Sequence, residues 1–302
     1  MNDNIRVISV SEATEYLGIG KPSHPLIAVI HHNNPSFRRA YGNFRYVLDL
    51  YQITQKDQMS GSLGYGRSSY DFQEGTMIFT RPGQVITTEE KVLEGEMGGW
   101  SIYFHPDLIR KSSLGKTIES YSFFSYDVHE ALHISNEEKQ SLDQIALQIE
   151  KEYQQNIDKH SQNLIIANIE LLLNYCTRYY DRQFYTRSNM SQDLVGKFER
   201  MLKDYYSSDN PSELGIPSVG YCGKELGISP NYLSDMLKKE TGRNALEHIH
   251  AFIIDKAKTA LLNSQETVSE IAYDLGFDYP QYFSKLFKSK TGVTPAKFRN
   301  LN

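Results

Sequence analysis

The chain has 302 residues, 39% hydrophobic and 23% charged, with a mean hydropathy of -0.50. That is enough apolar content for about two ordinary cores, and no run approaches the ~18 apolar residues of a membrane span, so no membrane-spanning helix is expected. The net charge of -5 does not point to a polyanion partner, but it is unevenly spread: residues 279–302 carry Lys285, Lys288, Lys290, Lys297 and Arg299 and no acid.

The N-terminal MNDNIRVISV lacks the basic-then-apolar order of a signal peptide, so a cytoplasmic location is expected. Strands are expected first. PLIAVIHH (25–32), FRYVLDLYQIT (44–54), YDFQEGTMIFTRPGQVITT (70–88) and GGWSIYFH (98–105) are β-branched and aromatic, with Gly and Pro punctuation. Short strands of this kind predict a small antiparallel barrel or sandwich. The period then changes. Ser135-x-x-Glu138 reads as a capping box opening a helix over 137–155, with Leu142, Ile145 and Ile149 on one face. A second helix is expected over 161–184. Its Ile165, Ile169, Leu172, Cys176 and Tyr179 fall at spacings of 4, 3, 4 and 3. That seam suits either a homodimer or packing on the strands. YTRSNMSQ (185–192) reads as a linker, placing a domain boundary at 187/188. A helix over 192–206, with Val195, Phe198, Leu202 and Tyr205 inward, and a loop over 207–218 follow. The expected class is α+β: a β unit with trailing helices over 1–187, then an all-α unit over 188–302.

The last eighty residues contain a duplication. PNYLSDMLKKETG (230–242) matches PQYFSKLFKSKTG (280–292) at a fixed offset of 50, and CGKELGIS (222–229) answers AYDLGFD (272–278) at 49. Each copy reads as helix, Gly-containing turn, helix, which is a helix-turn-helix. Gly227 and Gly276 stand where a helix ends most cheaply in a left-handed residue. In the second helices, Leu233, Met236 and Leu237, and Phe283, Leu286 and Phe287, form buried stripes. Opposite them stand Asn231, Ser234, Asp235 and Lys238 in one copy, and Gln281, Ser284, Lys285 and Lys288 in the other. Asn and Gln suit an adenine edge, Lys a guanine or phosphate, and Ser either. The connecting helix (244–264), with Leu246, Ile249, Ile253, Ala257 and Leu261 inward, spans roughly 30 Å. Major grooves on one side of B-DNA recur about every 34 Å. One chain can therefore set two reading helices on double-stranded DNA.

At these residues the chain resembles the AraC family of bacterial transcription regulators. The resemblance is carried by Ile271-Ala272, Gly276-Phe277, Tyr282-Phe283-Ser284, Phe287-Lys288, Gly292, Thr294-Pro295 and Phe298-Arg299. In the first copy it rests on Leu226-Gly227-Ile228-Ser229, Tyr232-Leu233-Ser234 and Lys238-Lys239-Glu240-Thr241-Gly242. It covers about 191–302 and implies a seven-helix DNA-binding domain, a homodimer, and activation through contact with RNA polymerase. The N-terminal part is similar to the family's cupin-like effector-binding and dimerisation domain only through strand order and GWSIYFHPDLI. Two departures stand out. Asp235 occupies a position that is frequently Arg or another DNA-compatible residue in the family, and residues 191–302 balance 14 Lys and Arg against 14 Asp and Glu. They leave open a second reading, a small-molecule-binding or protein-interaction module with weakened DNA binding.

Cupin barrels also house metal enzymes, whose sites need clustered His with a carboxylate. No His lies between Asn33 and Phe104, and adjacent His31 and His32 point to opposite faces of a strand. With no nucleophile elbow, phosphate loop or Cys/His spacing, no enzyme, metal or cofactor is expected. Cys176 and Cys222 are expected as buried thiols. A small-molecule effector remains open, with Arg45, Tyr46, Tyr51 and Arg67 as polar strand residues that could meet one.

Overall fold

The computed structural model describes residues 5–36, 44–57, 75–88, 98–127, 130–155, 158, 160–186 and 188–300. The chain divides into two compact units, Met1–Gln183 and Phe184–Asn302.

The first unit is built from β1 (Ile5–Val7), α1 (Val10–Tyr16), β2 (Ile27–His31), β3 (Phe44–Leu48), β4 (Tyr51–Lys56), β5 (Thr76–Thr80), β6 (Gln84–Thr88) and β7 (Gly99–Phe104). Short helices α2 (Pro106–Ile109) and α3 (Ser113–Thr117), strand β8 (Leu132–His133) and the long helices α4 (Asn136–Gln154) and α5 (Ser161–Thr186) follow, the last residues of α5, from Phe184 on, belonging to the second unit. The strands form two sheets, β1-β3-β6 and β2-β7-β4-β5-β8. All pairs are antiparallel except β1 with β3, which run parallel. The α+β class is as expected.

The run 44–54 is not one strand. It turns at Asp49-Leu50 and supplies β3 to one sheet and β4 to the other. Asp49 N donates to Val7 O, its carboxylate accepts from Arg6 Nε at 2.8 Å, and Leu50 is fully buried. Leu50 joins Val7, Val10, Ala13, Ala28, Ile30, Leu48 and Tyr103 in one apolar cluster.

The predicted capping box is present: Ser135 Oγ accepts from Glu138 N, and the Glu138 carboxylate accepts from Ser135 N. Helix α4 is tied to the strands by polar contacts. Val29 N donates to Tyr153 Oη at 2.9 Å, Trp100 Nε1 donates to Asp143 Oδ1 at 2.7 Å, and His31 Nε2 pairs with Glu150 at 2.9 Å. Among the described residues β2 lies at the edge of its sheet, and the Tyr153 hydroxyl satisfies the outward amide of Val29. Near the end of α5, Gln183 accepts from His133 N, and Arg182 Nη2 donates to His133 O.

The α5 seam is used inside the chain. Ile165, Ile169, Leu172, Cys176 and Tyr179 are all buried here, because that stripe supplies apolar surface to the chain's own core. It is therefore not available to a second copy. The leucines left half-exposed on α5 are Leu164 and Leu171.

Helices fill the second unit: α6 (Ser188–Tyr205), α7 (Asn210–Leu214), α8 (Val219–Leu226), α9 (Pro230–Thr241), α10 (Ala245–Asn263), α11 (Val268–Asp274), α12 (Pro280–Thr291) and α13 (Pro295–Asn300). These eight exceed the seven implied by resemblance by the one-turn α7, within the expected loop. The expected linker is helical at both ends, with α5 reaching Thr186 and α6 starting at Ser188. A polar stretch without a period does not forbid helix, since propensity is a weak prior. The core gathers Phe198, Leu202, Cys222, Leu233, Leu237, Ile249, Ile253, Ala257, Leu261, Ile271, Phe283 and Phe287. Leu246, expected inward, is instead exposed, and Ala245 is buried in its place, four residues before Ile249.

Candidate nucleic-acid interface

The two copies are built alike. Pro230 and Pro280 open α9 and α12 at the first turn, where a missing N–H costs nothing. Gly242 and Gly292 close them with φ of 77° and 81°. The repeated Thr-Gly has a local reason. Thr241 Oγ1 donates to Leu237 O at 2.7 Å, and Thr291 Oγ1 donates to Phe287 O at 2.8 Å. In each turn the hydroxyl also accepts from the backbone N–H just past the glycine. Ser229 Oγ caps α9 by accepting from Tyr232 N, whereas Tyr279, at the same place before α12, makes no such bond.

The two helices bury the expected stripes, Leu233, Met236 and Leu237 in α9, and Phe283 and Phe287 with partly buried Leu286 in α12. Of the predicted reading residues, Asn231, Lys238, Gln281, Lys285 and Lys288 are exposed, and Ser234, Asp235 and Ser284 are half-buried. The structure thus places both sets on the outer sides of their helices.

One asymmetry was invisible in the aligned letters. Tyr232 is 7% exposed and Tyr282 is 59% exposed, although they are the same residue of the repeat. Phe184 packs edge-on against Tyr232 with ring centroids 5.3 Å apart. Tyr282 packs edge-on against the exposed Tyr279, at 5.7 Å and 85°. Lacking the cover that Phe184 gives Tyr232, Tyr282 presents an aromatic face beside Gln281 and Lys285.

The histidines weighed as metal ligands have structural partners. His31 faces Glu150, whose hydrogen bond raises the imidazole above its ordinary value, and His32 is bonded to Ser101 Oγ at 2.8 Å on the opposite side. His105 Nδ1 accepts from Asp107 N at the start of α2. No group of three or more His, Cys, Asp or Glu among the described residues is placed to hold a metal ion. Both cysteines are buried, and burial pushes the Cys222 thiol up to about 11 and Cys176 higher still. Among the described residues no helix is long and apolar enough to cross a membrane.

One further polar feature lies in the first unit. His32, Ser101, Thr54 and Gln52 form a hydrogen-bonded chain across β7 and β4, with links of 2.8, 2.9 and 2.7 Å. Gln52 Oε1 at its end is buried and accepts no hydrogen bond from the described residues. Of the effector-facing candidates, Arg67 lies outside the described residues, Arg45 and Tyr46 lie on β3, and Tyr51 stacks on Phe104 at 5.0 Å.

Against known families, the Helix-turn-helix domain matches over residues 222–301. The second unit carries an AraC-type helix-turn-helix domain. Similar relatives include the transcriptional regulatory protein YesN of Bacillus subtilis, 35% identical over 35% of this chain and 28% of its own length. The HTH-type transcriptional regulator YijO of Escherichia coli is 28% identical over 75% of this chain and 78% of its own. The HTH-type transcriptional activator RhaR of Escherichia coli is 25% identical over 47% of this chain and 50% of its own. The chain thus spans less than a third of the YesN relative and half of RhaR. Among solved structures, the C-terminal domain of the response regulator yesN from Fusobacterium nucleatum aligns at 26% identity with a TM-score of 0.32, over 35% of this chain and 98% of that one. So low a TM-score carries no weight, and the AraC-type assignment rests on the sequence matches and on the duplicated unit.

Proposed function

We propose that the chain is a sequence-specific, DNA-binding transcription regulator. The observation that carries this reading is the pair of matched helices, α9 and α12, each with a buried stripe and an outward polar face, joined by one helix of 19 residues. Nineteen residues span about 28 Å, near the roughly 34 Å between successive major grooves. Asn231, Ser234, Asp235 and Lys238 meet one groove, and Gln281, Ser284, Lys285 and Lys288 the next. Lys285 and Lys288 neutralise phosphates or read guanine. The balanced charge of this domain makes one chain a modest binder, because phosphate neutralisation supplies much of the affinity. A homodimer on a two-part site makes up the difference. Leu164 and Leu171, one heptad apart on the outward side of α5, are the contacts we assign to it.

The boundary near residue 187, the cupin-like character of the first unit, work in the cytoplasm, and activation through RNA polymerase belong to the same reading. The activator role is supported by the RhaR relative. A small-molecule effector is assigned to the His32–Gln52 chain, where a hydroxyl-bearing ligand would satisfy the buried Gln52 oxygen. Gel shifts against genomic fragments at low, stated salt, with and without metabolite extract, test the central reading. Specific retardation is expected. A chain that shifts no fragment under either condition is instead a binding or interaction module that has lost DNA.

A further inference from the structure

Each copy of the duplicated unit leaves a cleft beside its first helix. The cleft of the first copy, about 400 Å³, lies between α6 and α8, and its charges are mixed: Lys197 and Arg200 accompany Asp204 and Glu225. The cleft of the second copy is about 860 Å³ and lies between α7 with its following turn and α11 with the start of α12. Its charged lining is Glu213, Asp274 and Asp278, with no lysine or arginine. Its wall also carries Leu214, 64% exposed, and Tyr273, 53% exposed, besides Tyr282.

The walls of this cleft are held by backbone contact. Gly276 has φ of 87°, and a Cβ there would lie 2.7 Å from the Gly215 carbonyl carbon. Backbone contact at that point gives the groove a fixed width. Three exposed carboxylates in a concave surface of mixed polar and apolar character focus negative potential outward. DNA phosphate is repelled by them, and an uncharged small molecule would leave them unmatched. A cationic protein segment with an apolar anchor fits both features: the anchor covers Leu214 and Tyr273, and the cations meet the carboxylates.

We propose that this cleft docks a basic segment of a partner protein, seated by an apolar side chain. Because Tyr282 stands at both the cleft and the start of α12, the partner would sit at the edge of the DNA. That placement rests on the DNA-reading proposal, but the docking does not.

The test pans the full-length chain against a phage-displayed library of random peptides of about a dozen residues. A chain carrying Glu213→Lys, Asp274→Lys and Asp278→Lys is panned in parallel. Wild type is expected to enrich Lys or Arg around a Leu, Phe or Trp. A synthetic peptide of that consensus should bind the charge-reversed chain about tenfold more weakly, as three exposed ion pairs allow. Leu214→Ser, which alters no charge, should weaken it severalfold, and thermal melts of both variants should match wild type. Enrichment without a cationic consensus, or equal binding to the charge-reversed chain, overturns the proposal. Gel shifts of the same proteins separate the two claims: no DNA shift with basic-peptide selection removes the DNA reading alone, and the reverse removes the docking alone.

Discussion

If α12 reads DNA, its two outward lysines set part of the salt dependence of binding. Lys285 and Lys288 are both exposed on the side opposite Phe283 and Phe287. Each phosphate contact contributes about 0.9 to the slope of log affinity against log salt. Losing both in Lys285→Ala/Lys288→Ala should lower the slope by about 1.8. A fourfold rise in salt, from about 50 to about 200 mM, spans 0.6 log units, so the double variant should lose roughly twelvefold less affinity than wild type over that range. Asp235→Ala removes no cation and should leave the slope unchanged. The assay is fluorescence anisotropy on a bound genomic fragment across a salt series. A double variant with the wild-type slope would refute the placement of α12 on the phosphates.

Three further predictions concern stability. Burial holds His32 down at about 4, against 6.5 when exposed. The unfolded chain thus takes the proton first, and the stability His32 contributes above pH 6.5 is lost as pH falls through about 4. Between pH 7 and 5 the loss is about 2 kcal/mol, and urea titrations of wild type and His32→Gln should differ by that pH-dependent amount. His31, raised by its bond to Glu150, acts in the opposite sense, its contribution being lost as pH rises, so the difference between the two proteins is the readout. Gly276→Ala must combine a left-handed φ with contact against the Gly215 backbone, and should cost the second unit more than the ~1–2 kcal/mol of the backbone conformation alone, read from chemical denaturation. Phe283→Ala, at a fully buried position, should cost about 3–5 kcal/mol by the same method.

The helical half was legible because its signals are local. Gly turns and buried stripes recur at fixed offsets, and Gly227, Gly276, Leu233 and Phe283 all take the places that periodicity assigns. Failures came where a residue's fate depends on a distant neighbour. Period alone cannot say which partner covers a seam, so the α5 stripe allowed a second chain until the chain's own core was seen to bury it. The same letter at 232 and 282 hides opposite exposures, because Phe184 covers only one of them. The split of residues 44–54 between two sheets turns on a bond from Asp49 to β1, some forty residues away. The second cleft joins α7 to α11 through a Gly-Gly contact with no sequence signature, so its acidic lining was scattered along the chain.

The central claim is that one chain reads two adjacent major grooves with α9 and α12. Methylation interference on a genomic fragment bound by the full-length protein tests it directly. Each bound chain should give two clusters of interfering major-groove positions about one helical turn, roughly 10 base pairs, apart. Lys285→Ala/Lys288→Ala should weaken only one of those clusters. A single cluster per chain, or interference confined to the minor groove, would contradict the account.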